Sequence, residues 1–442
     1  MGTEIVVVGG GYTGVWAARR ILRGLRRTAA GAETRVTVVS TSTTHAFHGW
    51  TAEVITGHVR LERTLTPLAD LLPGARVMCG TVEAVDLEGR HVVVAGTGGR
   101  VRVPYDHLVL GAGSRDATEP VPGLHTHGFT TKGDGELARL IAQLDRAVLR
   151  AAGTTDPAER DRLLTVVVAG GGFAGVETAV AVRQRLQARL AVTPALSGRQ
   201  PRVVLVHRGR HLLPSLRPRF ARVASHAEAE LTRAGVEVWT ATRLAGVTAV
   251  SAVIEGGSAL AVGTVVSTLG QRPVVLPGTE SLPRDVAGRL LVDRSLRVDG
   301  VGVGSGVWAG GDGAAVPHPS GSGLCPASAL WAIYHGERVG GNILRSLRGA
   351  APTPFRFPGL GQAASFGVGS AAAELAGVPL LGWSGWLARW VLFHYYMPSR
   401  RVALRTLAEW WRTGAQPSFA VSATDSTGSA DPLPLGRPGV AA

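Results

Sequence analysis

Residues 5–14 read Ile5-Val6-Val7-Val8-Gly9-Gly10-Gly11-Tyr12-Thr13-Gly14, and an apolar-patterned run from Val15 to Leu22 follows. A short β-branched run that ends in G-x-G-x-x-G and opens into a helix is the turn that seats a dinucleotide. Gly9 makes the tight turn, Gly11 lets backbone N–H groups approach a pyrophosphate, and Gly14 lets helix pack on strand. The helix N-terminus adds partial positive charge for the phosphates. The pattern returns at Thr165-Val166-Val167-Val168-Ala169-Gly170-Gly171-Gly172-Phe173-Ala174-Gly175, with Gly170, Gly172 and Gly175 in the corresponding places. Two such turns predict an α/β chain with two Rossmann-like domains and two dinucleotides.

In each unit the end of the second strand meets a ribose. After Arg35–Val39 stand Ser40, Thr41 and Ser42, where an Asp or Glu is usual. Hydroxyls bond a ribose less strongly than a carboxylate does, and Ser40 and Thr41 are candidate contacts. After Arg202–Val206 come His207, Arg208, Gly209 and Arg210. An absent acid and a present base suit a 2′-phosphate, hence NADPH rather than NADH. Arginines on a solvated edge would read the same way. The buried strand before Gly111-Ala112-Gly113 ends in small residues that let backbone crowd a cofactor. Gly306 to Ala315, an apolar strand with a small-residue turn, reads as a second flavin signature that places Gly311 and Asp312 at the flavin nucleotide. The plainer reading of Asp312 is a helix N-cap.

Between these landmarks, alternating runs at Val77–Val85, Arg90–Val94 and Val101–Val103 predict an antiparallel meander. Leu291-Val292-Asp293 and Leu296-Arg297-Val298 read as short strands. Pro326 suits a first helical position, and a helix is expected from there to about Leu347.

The chain has 442 residues, 45% of them hydrophobic, enough for two or three domains with substantial cores. Only Met1 to Glu4 precede the first strand, which predicts a start in the cytoplasm and free thiols at Cys79 and Cys325. With no C-x-x-C, neither a redox disulfide of that type nor a cysteine-rich metal site is expected. The formal charge is +14, carried by arginine except for Lys132. The arginines are scattered and no nucleic-acid motif accompanies them. An anionic membrane surface accounts for the charge better.

Val378 to Met397 is rich in Trp, Tyr and Leu, interrupted by Arg389 and His394. It only just reaches spanning length, and its aromatic density is that of a membrane interface. One or two amphipathic helices lying among headgroups are expected. The competing reading is a helix pair that packs into the core or forms a homodimer. Residues 413–442, rich in Ser, Thr, Gly and Pro, read as disordered.

Taken in order, these pieces resemble a type II NADH dehydrogenase within the two-dinucleotide flavoprotein superfamily. The matching stretches are Gly9–Gly14, Thr44–Gly57, Tyr105–Ser114, Gly170–Glu177, Val307–Ala314, Pro326–Gly336 and Gly382–Trp411. H-x-F-H-G-W at residues 45–50 and W-x-x-R-W-V-L-F-H in the tail are the more specific of them. The resemblance implies an FAD-binding domain from residues 1–115 and 286–350, an NAD(P)H-binding domain at 116–285, and a membrane-surface module at 351–412. It implies FAD, NADPH or NADH, and a quinone or quinone-like acceptor. It implies a peripheral place on the inner face of the cell membrane.

By the same resemblance Glu177 matches a glutamate near the nicotinamide, although a carboxylate there also suits a helix N-terminus. Ala329, Tyr334 and His335 fall on the quinone helix, where Tyr334-His335 replace paired glutamines. Either side chain can hydrogen-bond a quinone oxygen, and His335 can donate a proton. It also reads as an ordinary helix-surface histidine. Ser370 stands where the family carries a lysine. Cys325 without a partner cysteine argues against persulfide chemistry of the sulfide:quinone kind and reads as a small buried hydrophobe. The altered quinone helix keeps open a tailoring flavoprotein acting on an aromatic substrate, and a flavin-binding regulator without turnover.

Overall fold

The computed structural model describes residues 2–26, 33–133, 135–302 and 304–413. Ile5 to Val8 are buried and sit at the centre of a five-stranded parallel sheet. Its order is Val307–Ala309, His107–Leu110, Glu4–Val8, Arg35–Ser40 and Arg76–Cys79. Both faces are covered, which is why these strands are continuous apolar runs rather than alternating ones. The second glycine turn belongs to a four-stranded parallel sheet, ordered Val236–Trp239, Arg202–Val206, Thr165–Ala169 and Thr264–Ser267. The chain leaves the first domain through Ser114–Asp116 and returns through Gln271–Pro273, and these two strands pair antiparallel.

The first sheet is closed by two helices, Tyr12–Leu25 and Ala329–Ser346. Gly336 and Gly340 let them meet backbone to backbone: a Cβ on Gly336 would strike the Thr13 carbonyl, and one on Gly340 the Ala17 carbonyl. A larger side chain at either position would push apart the helices that frame the first site.

Three expectations need correction. The run Val77–Val85 is two strands, because Arg76–Cys79 joins the parallel sheet beside Arg35–Ser40 and only Thr81–Asp86 opens the meander. Leu290–Leu291 pairs with Ala314–Ala315, while Val292 and Val298 meet in an isolated bridge. In the tail, Val378–Leu381 is the edge of a three-stranded antiparallel sheet with Gly361–Ser365 and Ala371–Leu375. The helix begins only at Trp383, after Gly382 at φ 60°, and ends at Tyr396. A second helix runs Arg400–Thr413. No helix among the described residues is long and apolar enough to cross a membrane. The disorder expected over 413–442 lies, beyond Thr413, outside the described residues.

The tail is bound to the body by polar contacts. Arg60 and Arg63 pair with Glu409, Arg19 donates to the Pro398 carbonyl at 2.8 Å, and the Tyr334 and Tyr396 hydroxyls are 3.1 Å apart. The opposite side stays open. Trp383 (63%), Val391 and Tyr395 are exposed on the first tail helix, Leu404 and Trp411 (83%) on the second. Trp383, Val391 and Tyr395 follow one another at steps of eight and four residues and share one side of the helix.

Candidate functional site

At the first turn Gly9 adopts φ 112°, and a Cβ there would strike the Gly111 carbonyl. A Cβ on Gly14 would strike the Gly9 carbonyl, whereas one on Gly11 would meet nothing within 4 Å. Gly11 is the N-cap of helix Tyr12–Leu25 and supplies no side-chain cap. Free amides of the first helical turn thus face open space. The second turn repeats this. Gly170 at φ 121° is pressed on Thr268, Gly175 on the Gly170 carbonyl, and Gly172 opens on nothing within 4 Å. Two uncapped helix N-termini with room for a phosphate fit a dinucleotide each.

Around the first turn Ser40 and His45 are buried and His48 is half-buried. Ser40 lies beneath it, where a Cβ on Gly10 would meet its hydroxyl, while Thr41 is exposed. The His45 ring nitrogen Nδ1 lies 2.9 Å from the Gly10 carbonyl, and the Tyr12 hydroxyl accepts from the His48 amide at 2.9 Å. Burial lowers both His45 and His48 to about 4 and raises Tyr12. Gly111 donates to the Val8 carbonyl at 2.8 Å, and Gly113, at φ 70°, approaches Gly313. Ala112 lies between them.

Asp312 caps no helix. Its Oδ2 accepts from Lys132 Nζ at 2.7 Å and from Ser114 Oγ at 2.8 Å. Lys132 also reaches Ser114 Oγ at 2.6 Å and Gln271 Oε1 at 3.1 Å. The only lysine of the sequence therefore ties Asp312 to both crossing strands, a role that no local motif announced.

His335 departs from expectation. It is 2% exposed, and its Nδ1 accepts the Gly311 amide at 3.1 Å. Burial lowers it to about 3, so it is neutral at physiological pH and fixes the Gly311–Gly313 turn. It lies inside rather than on the helix surface, and its Nδ1 is committed to the turn. Tyr334 stacks on Phe357 with centroids 3.8 Å apart and faces the tail through Tyr396. Ala329 begins the helix. Cys325 is buried, and burial pushes its thiol to about 12, as a small hydrophobe requires.

At the second turn His207 Nδ1 accepts the Gly171 amide at 3.2 Å, and burial lowers its pKa. Arg208 and Arg210 stand exposed beside it, and no ion pair holds either among the described residues. Glu177 reaches out of this domain toward the tail. Its Oε1 accepts the Ser365 amide at 2.7 Å and Arg389 Nη2 at 3.1 Å. Arg389, 2% exposed, also binds Glu53 Oε1 at 2.7 Å and the Gly49 carbonyl at 3.0 Å. Burial is the main force on Glu177 and, with the Glu53 charge, outweighs Arg389, raising its carboxyl to about 7. A cavity of about 10 Å³, the size of one water, lies against Glu53, Thr56, His58, Glu177 and Gln184. Sequence reading found Glu177 but neither Glu53 nor the role of Arg389.

The family described as pyridine nucleotide-disulphide oxidoreductase matches residues 3–336. The demethylphylloquinone reductase NdbB of Synechocystis is 26% identical over 416 residues, covering 92% of this chain and 95% of that protein. The type II NADH:quinone oxidoreductase NdhA of Mycobacterium tuberculosis is 28% identical over 434 residues, covering 92% and 86%. Among solved structures, NDH2 of Plasmodium falciparum in complex with NADH superimposes with a TM-score of 0.83 at 14% identity, covering 93% of this chain and 98% of that one.

Proposed function

The chain belongs to the pyridine nucleotide-disulphide oxidoreductase family, and from that premise we propose that it oxidises NAD(P)H through FAD and reduces a quinone or quinone-like acceptor. Bound FAD supplies the redox chemistry, taking hydride from nicotinamide and passing two electrons on, while the protein supplies position and field. The observation that carries the reading is the pair of uncapped helix N-termini at Gly11 and Gly172, each beside a collision-tight glycine pair.

In this reading Gly9, Gly11, Gly14 and Gly111–Gly113 hold the FAD pyrophosphate and the backbone around it. Ser40 and Thr41 serve its ribose, and Asp312, set by Lys132 and Ser114, binds its hydroxyl-bearing chain. Gly170, Gly172 and Gly175 hold the nicotinamide dinucleotide. Arg208 and Arg210, exposed and without a carboxylate partner among the described residues, favour a 2′-phosphate and therefore NADPH. Glu177 is the group able to hold or release a proton near neutrality. Tyr334 and Ala329 face the acceptor side, and His335 keeps the Gly311–Asp312 turn in place.

Membrane attachment is part of the same proposal. The exposed aromatic stripe of the tail suits the headgroup region. Arg20, Arg23, Arg338, Arg345 and Arg348 line a cavity of about 570 Å³, and none of them is in an ion pair among the described residues. Neighbouring Arg19 touches the tail turn at Pro398. An anionic inner-leaflet surface meets both features. A second copy of the chain on the stripe is the rival occupant, and co-sedimentation with phosphatidylglycerol vesicles against a sizing measurement separates them.

The test of the reaction is anaerobic mixing of the FAD-loaded protein with NADPH and with NADH, followed by a quinone panel. Flavin absorbance bleaches, faster with NADPH, and returns with a short-chain quinone. Absorbance unchanged by both nucleotides overturns the reading.

A further inference from the structure

The junction at Glu177 brings two carboxylates to one guanidinium, with Glu53 and Arg389 buried and Glu177 half-buried. Glu53 comes from helix Thr51–Thr56 of the first domain, Glu177 from helix Phe173–Ala191 of the second, and Arg389 from the first tail helix. Arg389 spends Nη1 and Nη2 on Glu53, Glu177 and the Gly49 carbonyl, and its face lies 4.3 Å from the Phe393 ring centroid. One cation between two anions leaves a deficit of one positive charge, which a single proton fills.

We propose that Arg389 is a positioning residue for the reaction: it aims Glu177 and sets, against Glu53, the charge balance under which Glu177 exchanges its proton. The inference rests on the functional reading above. Its structural consequence is that the helix carrying the exposed Trp383, Val391 and Tyr395 stripe also carries the cation of the reaction centre on its inner side. Seating of the tail and readiness of Glu177 become one event.

The remaining charged groups around the cluster have other partners. His58 bonds the Thr56 hydroxyl at 2.8 Å, and His394 Nδ1 lies 2.8 Å from the Trp390 carbonyl, burial lowering the pKa of His394 against the pull of Glu53. Arg185 is turned to Asp145 and the Ile55 carbonyl, and Glu409 to Arg60 and Arg63. Strand Gly361–Ser365 contributes only a backbone amide, and Gln184 is uncharged. Glu53 and Arg389 are thus the charges in control, and they pull in opposite directions.

That opposition is the test. The Glu177 carboxyl is titrated in the FAD-loaded full chain by pH-dependent infrared difference spectra, its band identified by loss in Glu177→Gln. The pH profile of flavin bleaching by NADPH is measured in parallel. Glu53→Gln moves the midpoint about one unit to lower pH, and Arg389→Gln moves it about one unit higher, the range set by a neighbouring charge. Arg389→Lys restores most of the wild-type value. Midpoints that move the same way in the two neutral variants, or stay put, overturn the proposal, because a merely structural part would give no opposed shifts. Should Arg389→Gln fail to fold, Glu53→Gln and Arg389→Lys decide alone: no downward shift in the former overturns it. A wild-type flavin that neither nucleotide bleaches refutes the functional reading, while the infrared midpoints still judge the charge balance by itself.

Discussion

The two glycine turns share one backbone and differ in what surrounds it. At the first, the neighbouring polar groups are buried or half-buried and neutral or charge-paired: His45 and Ser40 are buried, His48 half-buried, and the half-buried Asp312 is held by Lys132. At the second, Arg208 and Arg210 are exposed cations beside a half-buried His207. A ligand at the first turn meets mostly buried or half-buried neutral side chains, which suits a cofactor that stays. A ligand at the second meets exposed charge at the surface, which suits one that comes and goes. On the proposed reading the same secondary structure serves a resident and a visitor, and side chains outside the turn decide which.

The largest effect should come from filling either glycine pair. Gly14→Val drives a side chain into the Gly9 carbonyl, and the purified protein should be colourless. Gly175→Val drives one into the Gly170 carbonyl, and the protein should keep its flavin while bleaching by NADPH slows on the order of a hundredfold, the cost of misplacing a reacting group by about an ångström. Flavin lost from both variants alike would end the division of labour. A smaller effect belongs to the cations. Arg208→Ala and Arg210→Ala should each reduce the NADPH-over-NADH ratio of bleaching rates roughly tenfold, as expected for a charge-assisted contact, with flavin content unchanged. Equal loss with both nucleotides would return these arginines to a solvated edge.

The smallest and most graded effect is on acid stability. His45, His48 and His335 are held near 4, 4 and 3, below the ordinary histidine value, so they are neutral in the folded protein. The unfolded chain binds a proton at each once pH falls below about 6.5. The contribution of these three rings is therefore full above that value and declines as pH drops toward 4, by at most about 1.4 kcal/mol per unit for each histidine. Glu177, raised to about 7, works in the opposite sense between about pH 7 and 4.5 and offsets about one of them. Thermal melts from pH 7 to 4.5 should fall, with flavin released at the transition. His335→Asn should flatten that slope by up to about 1.4 kcal/mol per pH unit, the share of one histidine. A slope unmoved by His335→Asn would mean that the ring is not a neutral anchor of the flavin turn.

What the sequence determined by itself was everything whose cause is local. Gly9 and Gly170 need positive φ within a few residues of a β-branched strand, so both turns, their helices and the α/β class were readable in ten-residue windows. The absence of an acid and the presence of Arg208 and Arg210 after Val206 were equally plain. Tertiary structure alone decided the rest. Val77–Val85 looks like one strand, and only the partnership of Cys79 with Ser40 divides it. His335 occupies a helix position open to either reading, and the close approach of helix Tyr12–Leu25 buries it. Lys132 meets Asp312 across 180 residues, and Arg389 meets Glu53 across 336. Such pairs leave no trace in spacing or periodicity, because the free energy that selects them arises when distant segments exclude water together.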